Sequence, residues 1–241
     1  MTKLRCLLLA AAAGLSATVA LAEPPTGSRL GDYRRPGPAL TQKDQAEGAK
    51  EMAECLYNRK TQLARQTLLA STRQAEEAAY SRLTGNVECF GMVFANDMVE
   101  ERHIAIPPDI LRGMLAEAAL ETSKDAVAAL LPLPLQQIYQ RDWYAITGRH
   151  ISVDEMGACV ADTNPAGVAA LARTKPTSTE ENAAFGALMD NFGKCLRAGV
   201  KLQASRPALR AALSDALFQR LNAPTPAPTA GTAPAVEAAK N

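Results

Sequence analysis

A cysteine-bracketed unit occurs twice in this chain of 241 residues, and this repetition constrains the fold more than any other feature. Cys55 and Cys89 bracket the first copy, whereas Cys159 and Cys195 bracket the second. A middle block and a closing block also recur, over residues 76–83 and 181–188 and over residues 111–118 and 209–216. Because the matching blocks follow one another in the same order, the sequence predicts a tandem duplication.

The N-terminus predicts export from the cytoplasm. Lys3 and Arg5 precede an apolar stretch over residues 7–21, and the Ala-Leu-Ala of residues 20–22 forms a small-residue cleavage site. A membrane anchor is the weaker alternative, because the apolar stretch is short for a span and two prolines follow it. We therefore expect a signal peptide over residues 1–22, a periplasmic or secreted protein, and no transmembrane segment after cleavage.

Four cysteines remain once the signal peptide and its Cys6 are removed, and an oxidising compartment lets disulfides persist. Four cysteines allow three pairings, of which the duplication favours Cys55–Cys89 and Cys159–Cys195, because each copy then closes on itself. Each bridge closes a loop of about 35 residues and contributes about 3–4 kcal/mol in the chain-entropy model. A redox-active or metal-binding pair is the alternative, although the chain has no CxxC motif and no cysteine beside a histidine.

Composition and helix-capping residues predict an all-α fold. It consists of two repeat units, each held by a disulfide, between disordered, Pro-rich ends. The chain is rich in Ala and Leu, and aromatic residues make up only 5% of it, which favours helices over strands. Capping residues predict helix starts at Thr41, Ser71, Ser152, Asn164 and Ser178. The expected parts are a disordered leader over 23–40, repeat 1 over 41–121, a connector over 122–145, repeat 2 over 146–222 and a disordered tail over 223–241.

Few residues point to a chemical activity. Once Lys3 and Arg5 are removed, 24 basic residues face 25 acidic ones, and this near-neutral balance argues against nucleic acid or an anionic membrane as the main partner. The two histidines, His103 and His150, lie outside any metal-binding motif. No nucleophile elbow, P-loop, dinucleotide-binding or haem signature occurs. We expect no cofactor and no metal site.

Arg112 and Arg210 are the repeated polar positions of greatest interest, since both lie in the closing blocks. Each is followed five residues later by an acid, Glu117 or Asp215, and this spacing does not place the two side chains next to each other on a helix. We expect each arginine to reach a carboxylate or a helix C-terminus elsewhere in its own unit. The alternative is an anion-binding arginine in each unit.

The connector carries the only tryptophan, Trp143, followed by Tyr144. The strongest repeated features are disulfide cysteines, helix-capping residues and apolar helix positions that would face the core. All of these are structural, so we expect a non-enzymatic binding or scaffold protein of the cell envelope. Its two units would form a cleft near these aromatic residues, with Arg112 and Arg210 as further candidates, for an envelope protein or a small ligand. The first alternative is a hydrolase-like periplasmic enzyme that uses one of the two histidines, and the second is a thiol–disulfide protein.

A family resemblance rests on three features of the sequence. Each copy has an Ala-rich helical segment with a cysteine followed by Leu56 or Val160, a second cysteine some 35 residues on, and a closing Leu-Arg-x-x-Leu-x-acid-Ala block. This pattern, over roughly residues 41–222, resembles uncharacterised secreted proteins of alphaproteobacteria, the sphingomonad type in particular. The resemblance implies a periplasmic address. It brings no established activity, substrate or catalytic residue, so it assigns no function to any residue of this chain.

Overall fold

A computed structural model describes residues 31–32, 41–85, 89, 104–197, 199–200, 202 and 204–222. Its helices are α1 Gln42–Arg59, α2 Thr61–Leu68, α3 Arg73–Thr84, α4 Pro108–Thr122, α5 Lys124–Ala128, α6 Tyr144–Thr147, α7 Ile151–Thr163, α8 Pro165–Ala172, α9 Thr179–Cys195 and α10 Arg206–Asn222. Two short strands, β1 Gly31–Asp32 and β2 Ile104–Ala105, pair antiparallel. The predicted all-α fold is therefore confirmed.

The predicted ends of the chain fall almost entirely outside this description. The signal peptide, the tail and the leader other than Gly31–Asp32 all lie outside the described residues. Gly31 pairs with Ala105, so this part of the predicted disordered leader is instead a strand.

Three of the predicted helix starts are confirmed by their capping hydrogen bonds. Thr41 and Asp44 form a reciprocal capping box at the start of α1. The side chain of Asn164 accepts from the backbone N–H of Gly167 at 2.9 Å, and Pro165 occupies the first turn of α8. Ser178 caps α9 in the same way. These side chains satisfy backbone donors that a helix N-terminus leaves without partners.

The other two predicted starts are wrong by one and two residues. Thr72, rather than Ser71, has an extended backbone and accepts from Ala75 N at 3.2 Å to cap α3. The side chain of His150 caps α7, and Ser152 already lies inside its first turn. In both cases the cap is the last residue with extended backbone before the helix, and neighbouring Ser or Thr residues do not reveal which one that is.

One apolar core runs through both halves of the chain. α10 packs against α4 and α7, α4 packs against α1, and α9 covers α7 and α8. The core joins Leu56 and Met114 from the first half to Met156 and Leu217 from the second. Because the closing helices α4 and α10 pack directly on each other, no cleft separates two units along them.

α4 and α10 cross at very close range. A Cβ atom added to Gly113 would lie 2.2 Å from the Cα atom of Ala211, which is far too close for two non-bonded carbon atoms. A Cβ atom at Gly157 on α7 would similarly lie 3.1 Å from the carbonyl oxygen of Ala212. The small residues of these helices therefore set how closely the two halves approach.

Both predicted disulfides are present. Cys55–Cys89 links the C-terminal part of α1 to the segment after α3, and Cys159–Cys195 links α7 to the end of α9, with Cα–Cα distances of 5.8 and 5.6 Å. Each half contains four helices in sequence, α1 to α4 in the first and α7 to α10 in the second. That order is compatible with the tandem duplication, which stays a prediction from the sequence.

The connector joins the halves through the short helix α5, which packs against α4 and α8, and then through residues 129–143, which contain no helix. Hydrogen bonds tie the backbone of residues 129–143 to the second half, from Leu133 N to Asp162 O and from Arg220 to Leu131 O. Among the described residues, no helix combines the length and apolar character needed to cross a bilayer.

Candidate functional site

Four charged residues form a fully buried cluster, the Asp215 cluster, where α4, α7 and α10 meet: Arg112, Arg149, Asp154 and Asp215. The Nε atom of Arg112 donates to Asp215 Oδ2 at 2.8 Å. Arg149 donates from Nη2 to the same oxygen and from Nε to Asp154 Oδ1 at 2.7 Å. With two guanidinium groups and two carboxylates, the cluster is neutral.

The pKa values of the two carboxyl groups of this cluster are shifted in opposite directions. Burial disfavours the ionised form of Asp215, but Arg112 and Arg149 together hold its pKa below the ordinary value. For Asp154, burial outweighs the attraction of Arg149 and raises the pKa. Thr147 donates to Asp154 Oδ2 at 2.6 Å, so both oxygens of that carboxylate accept a hydrogen bond. No group of this cluster reaches solvent, so its chemistry serves the fold.

A second cluster, the Glu117 cluster, lies where α4, α8 and α10 meet, and consists of Lys50, Glu117, Glu181 and Arg210. Arg210 binds both oxygens of Glu117, at 2.6 and 2.9 Å, and Glu181 Oε1 at 2.8 Å. Lys50 Nζ donates to Glu117 Oε2 at 3.0 Å. Burial opposes the charge of Arg210, but Glu117 and Glu181 raise its pKa. This cluster also contains two cations and two carboxylates.

Both repeated arginines also bind backbone carbonyls at the C-terminal end of a helix. Arg112 donates to the carbonyl oxygens of Thr67 and Leu68 at the end of α2, at 2.9 and 2.6 Å. Arg210 donates to Ala172 O at the end of α8, at 3.0 Å. The last carbonyls of a helix lack partners within the helix and carry partial negative charge, so a guanidinium group stabilises them.

The expected structural role of Arg112 and Arg210 is therefore observed, with one correction. The sequence predicts a carboxylate within the same unit, whereas Arg112 pairs with Asp215 and Arg210 pairs with Glu117, across the crossing of α4 and α10. Arg210 additionally binds Glu181 of its own half. Both guanidinium groups are buried and bound to carboxylates and helix-end carbonyls, so neither arginine lines an open cleft in the described part of the chain.

Two members of these clusters escape sequence reasoning for different reasons. Arg149 has no repeated counterpart, since Gln45 stands at the matching position of the first copy. Glu181 could have been found, because it recurs as Glu76 in the matching middle block. Glu76 is buried near Arg112, and burial raises the pKa of its carboxyl group.

A groove of about 450 Å³, here called the Lys50 groove, opens beside the Glu117 cluster. Its lining comes from α1, α4, α5 and α8. The apolar part is formed by small or buried side chains: Ala118, Leu120, Val127, Ala169 and Ala172. Lys50, Glu54 and Glu117 supply charge inside it, and Arg173 and Glu121 supply charge at half-exposed positions.

The part of the connector over residues 130–140, here called the strap, presents apolar side chains outward. Leu131, Leu135 and Ile138 are 76%, 55% and 64% exposed. The backbone between them is tied down, because Leu133 N donates to Asp162 O at 2.7 Å and Gln136 N donates to Tyr139 Oη at 3.1 Å. The exposed side chains are thus held on a fixed backbone.

Trp143 and Tyr144 are half-buried and packed against their neighbours rather than lining an open cleft. Their rings meet edge to face with centroids 4.6 Å apart, and both rings pack on the cluster of Tyr139 and Cys159. The Tyr144 hydroxyl is buried and has no hydrogen-bond partner among the described residues. Burial also raises the pKa of Tyr144. The two aromatic residues anchor the connector to the disulfide-bonded part of the second half.

The histidines and cysteines on which the two alternative functions depend lie in different environments. His150 is exposed, and its Nδ1 atom accepts from Ser152 N as a helix cap, whereas Asp154 is buried and paired with Arg149; the two therefore do not form an acid–base pair. His103 lies outside the described residues. Cys89 and Cys159 are buried in their bridges, which shields those sulfur atoms from thiols in solvent. Within the described residues, no cluster of three or more His, Cys, Asp or Glu side chains could hold a metal ion.

Comparison with known proteins gives no match: no family model, curated protein or solved structure is significantly similar to this chain.

Proposed function

We propose that this protein is an exported, non-enzymatic binding or scaffold protein of the cell envelope, and that the strap is its surface for a protein partner. The single observation that carries the proposal is the group of three large apolar side chains held outward within eight residues on a fixed backbone. Isolated exposed apolar residues are common on proteins, whereas a group of them marks an interaction surface.

The buried charges support the non-enzymatic half of the proposal. Arg112, Arg149 and Arg210 are paired internally with carboxylates and have no access to solvent. A catalytic acid or base must reach its substrate, and these groups cannot do so without unfolding the clusters. We therefore assign these buried charges to the fold, which supports a binding or scaffold role.

Two disulfides support the export half of the proposal. Disulfides persist in oxidising compartments, such as the periplasm and the extracellular space, and are rare in the cytosol. Together with the predicted signal peptide over residues 1–22, they favour a periplasmic or secreted location. The partner is accordingly expected among envelope proteins and to present an apolar surface to the strap.

Site-specific photo-crosslinking in the native cell tests the strap. A photo-reactive amino acid is placed at Ile138, and the matched control carries it at Met189 on α9, which is 61% exposed but lies outside the strap. We expect a discrete adduct from position 138 and none of that size from position 189. Adding Leu135→Asp should abolish the adduct, because a carboxylate is costly to bury in an apolar interface.

Two results would overturn the proposal. One is an identical set of adducts from positions 138 and 189, since this would indicate contact by general exposure alone. The other is no adduct from position 138 or from a second strap position, Leu131, in cells that export the protein normally.

A further inference from the structure

The two buried charge clusters differ in one respect that the fold does not require. In the Asp215 cluster, the second cation is Arg149, whose side chain is completely buried. In the Glu117 cluster, the second cation is Lys50, whose side chain is 19% exposed and lines the Lys50 groove. The Glu117 cluster therefore opens to solvent at Lys50, and this opening lies in the Lys50 groove.

The size and lining of the Lys50 groove fit a small molecule. Its volume of about 450 Å³ lies within the range of ligand pockets, which combine a mainly apolar surface with a few placed polar groups. Leu120, Val127 and Ala169 give an apolar surface that suits aliphatic groups. Among the described residues, no aromatic side chain lines the groove to stack on a flat ring.

The charges of the groove occur in pairs of opposite sign. Lys50 Nζ lies 3.4 Å from Glu54 Oε1, and Arg173 Nε lies 3.9 Å from Glu121 Oε2. Glu54, Glu121 and Arg173 are about half-exposed or more, so both pairs contribute little to stability and can separate at small cost. A ligand that carries one positive and one negative group can replace these weak contacts with its own, without leaving any charge of the groove unpaired.

We propose that the Lys50 groove binds a small zwitterion of the amino-acid type, either a free amino acid or a short peptide with small aliphatic side chains. Arg173 and Lys50 would bind its carboxylate, Glu121 and Glu54 would bind its ammonium group, and Leu120 and Val127 would contact its aliphatic part. This site shares no residue with the strap, so it goes beyond the proposed function and neither depends on the other.

Calorimetric titration of the mature, disulfide-bonded protein with the dipeptide alanyl-alanine tests the site from the ligand side. The comparison probes are N-acetyl-alanyl-alanine, which lacks the ammonium group, and alanyl-alaninamide, which lacks the carboxylate. We expect alanyl-alanine to bind and each blocked probe to bind at least about tenfold more weakly, because each loses charged hydrogen bonds. No heat of binding from alanyl-alanine at millimolar concentration, or equal affinity for all three probes, would overturn the proposal.

Variants of the protein locate the binding. Arg173→Gln should weaken alanyl-alanine binding about tenfold, by loss of one charged contact, while the thermal midpoint stays unchanged because the side chain is half-exposed. Arg197→Gln is the matched control, since Arg197 is similarly exposed and paired with a carboxylate, Glu155, that does not line the groove. Leu135→Asp should also leave the affinity unchanged. Equal effects of Arg173→Gln and Arg197→Gln would place the binding elsewhere and reject the site.

Discussion

At the scale of single residues, the stability of this protein depends on buried guanidinium groups that each bind several partners. Arg210 donates to Glu117, Glu181, Thr174 and the end of α8, and almost none of it is exposed. A buried ion pair is not by itself strongly stabilising, because both charges lose their hydration. Removal of one partner is costly, however, because the remaining charge stays buried without compensation.

Arg210→Met should therefore destabilise the protein strongly. The variant leaves Glu181 without its guanidinium partner and Glu117 with Lys50 and the Ser214 hydroxyl. We expect a loss of about 3–5 kcal/mol in the free energy of unfolding. Arg173→Met is the control; its half-exposed pair with Glu121 should change that free energy by less than about 0.5 kcal/mol. Urea unfolding of both variants provides the measurement, and equal losses would contradict the assigned roles.

Glu76 should give the stability a pH dependence of known sign. Burial raises the pKa of its carboxyl group from the ordinary value of 4.5, against the attraction of Arg112 and Arg73, and nearby Glu77 and Asp215 raise it further. Between 4.5 and the raised folded pKa, the unfolded chain has released this proton while the folded protein still binds it. The contribution of Glu76 is therefore fully present below the unfolded pKa, and it falls as the pH rises through the folded pKa.

The comparison of Glu76→Gln with the original protein measures this contribution. The unfolding free energy of Glu76→Gln, minus that of the original protein, should rise as the pH increases from 4.5 to the raised pKa of Glu76 in the folded protein. Glu77→Gln should lower the pKa of Glu76 toward its ordinary value, because Glu77 is one of the negative charges that raise it. A flat difference for Glu76→Gln would show that this carboxyl group has the same pKa in the folded and unfolded states.

At the scale of elements, the crossing of α4 and α10 holds the halves together. Leucines spaced by four residues mark both helices in the sequence as core elements, and the structure confirms this role. The sequence pattern does not reveal that the two helices face each other, or that Gly113 lies against Ala211 at their closest point. That contact depends on the position of two helices nearly 100 residues apart in the chain.

Substitution of glycine by alanine should have opposite effects in α4 and α9. Gly113→Ala places a methyl group against the backbone of α10, so we expect a loss of about 1–3 kcal/mol or more through overpacking. Gly186→Ala on α9 meets no atom within 4 Å and should stabilise the protein by up to about 1 kcal/mol, because alanine favours the helix. Thermal unfolding of the two variants gives the comparison, and stabilisation by Gly113→Ala would mean that the helices are farther apart.

At the scale of the whole molecule, the two predicted units behave as one body in the described part of the chain. The core residues of both halves form one cluster, and each charge cluster joins α4 to α10. Each half also has its own disulfide, and each bridge restricts the unfolded chain. An independently folding repeat would need its own closed core, and α4 and α10 instead contribute to a common one.

The protein should accordingly unfold in one cooperative step. Trp143 fluorescence reports on the connector and the second half, while far-UV circular dichroism reports on the helices of both halves. We expect the two signals to follow the same urea transition with the disulfides intact, as in two-state unfolding. A separate circular dichroism transition without a change in Trp143 fluorescence would indicate that the first half unfolds alone.

The sequence by itself determined the features that depend on near neighbours or on the repeated order. Cysteine spacing and duplication were enough to pair Cys55 with Cys89 and Cys159 with Cys195, and composition and capping residues were enough to predict an all-α fold, because helix formation is set within a few residues. Tertiary structure alone decided that Arg112 pairs with Asp215 and Arg210 with Glu117, each in the other half of the chain. It also decided the burial of Arg149, the Lys50 groove and the exposure of the strap. These depend on how α4 and α10 cross, and the distance of that crossing is a property of two packed surfaces rather than of either segment.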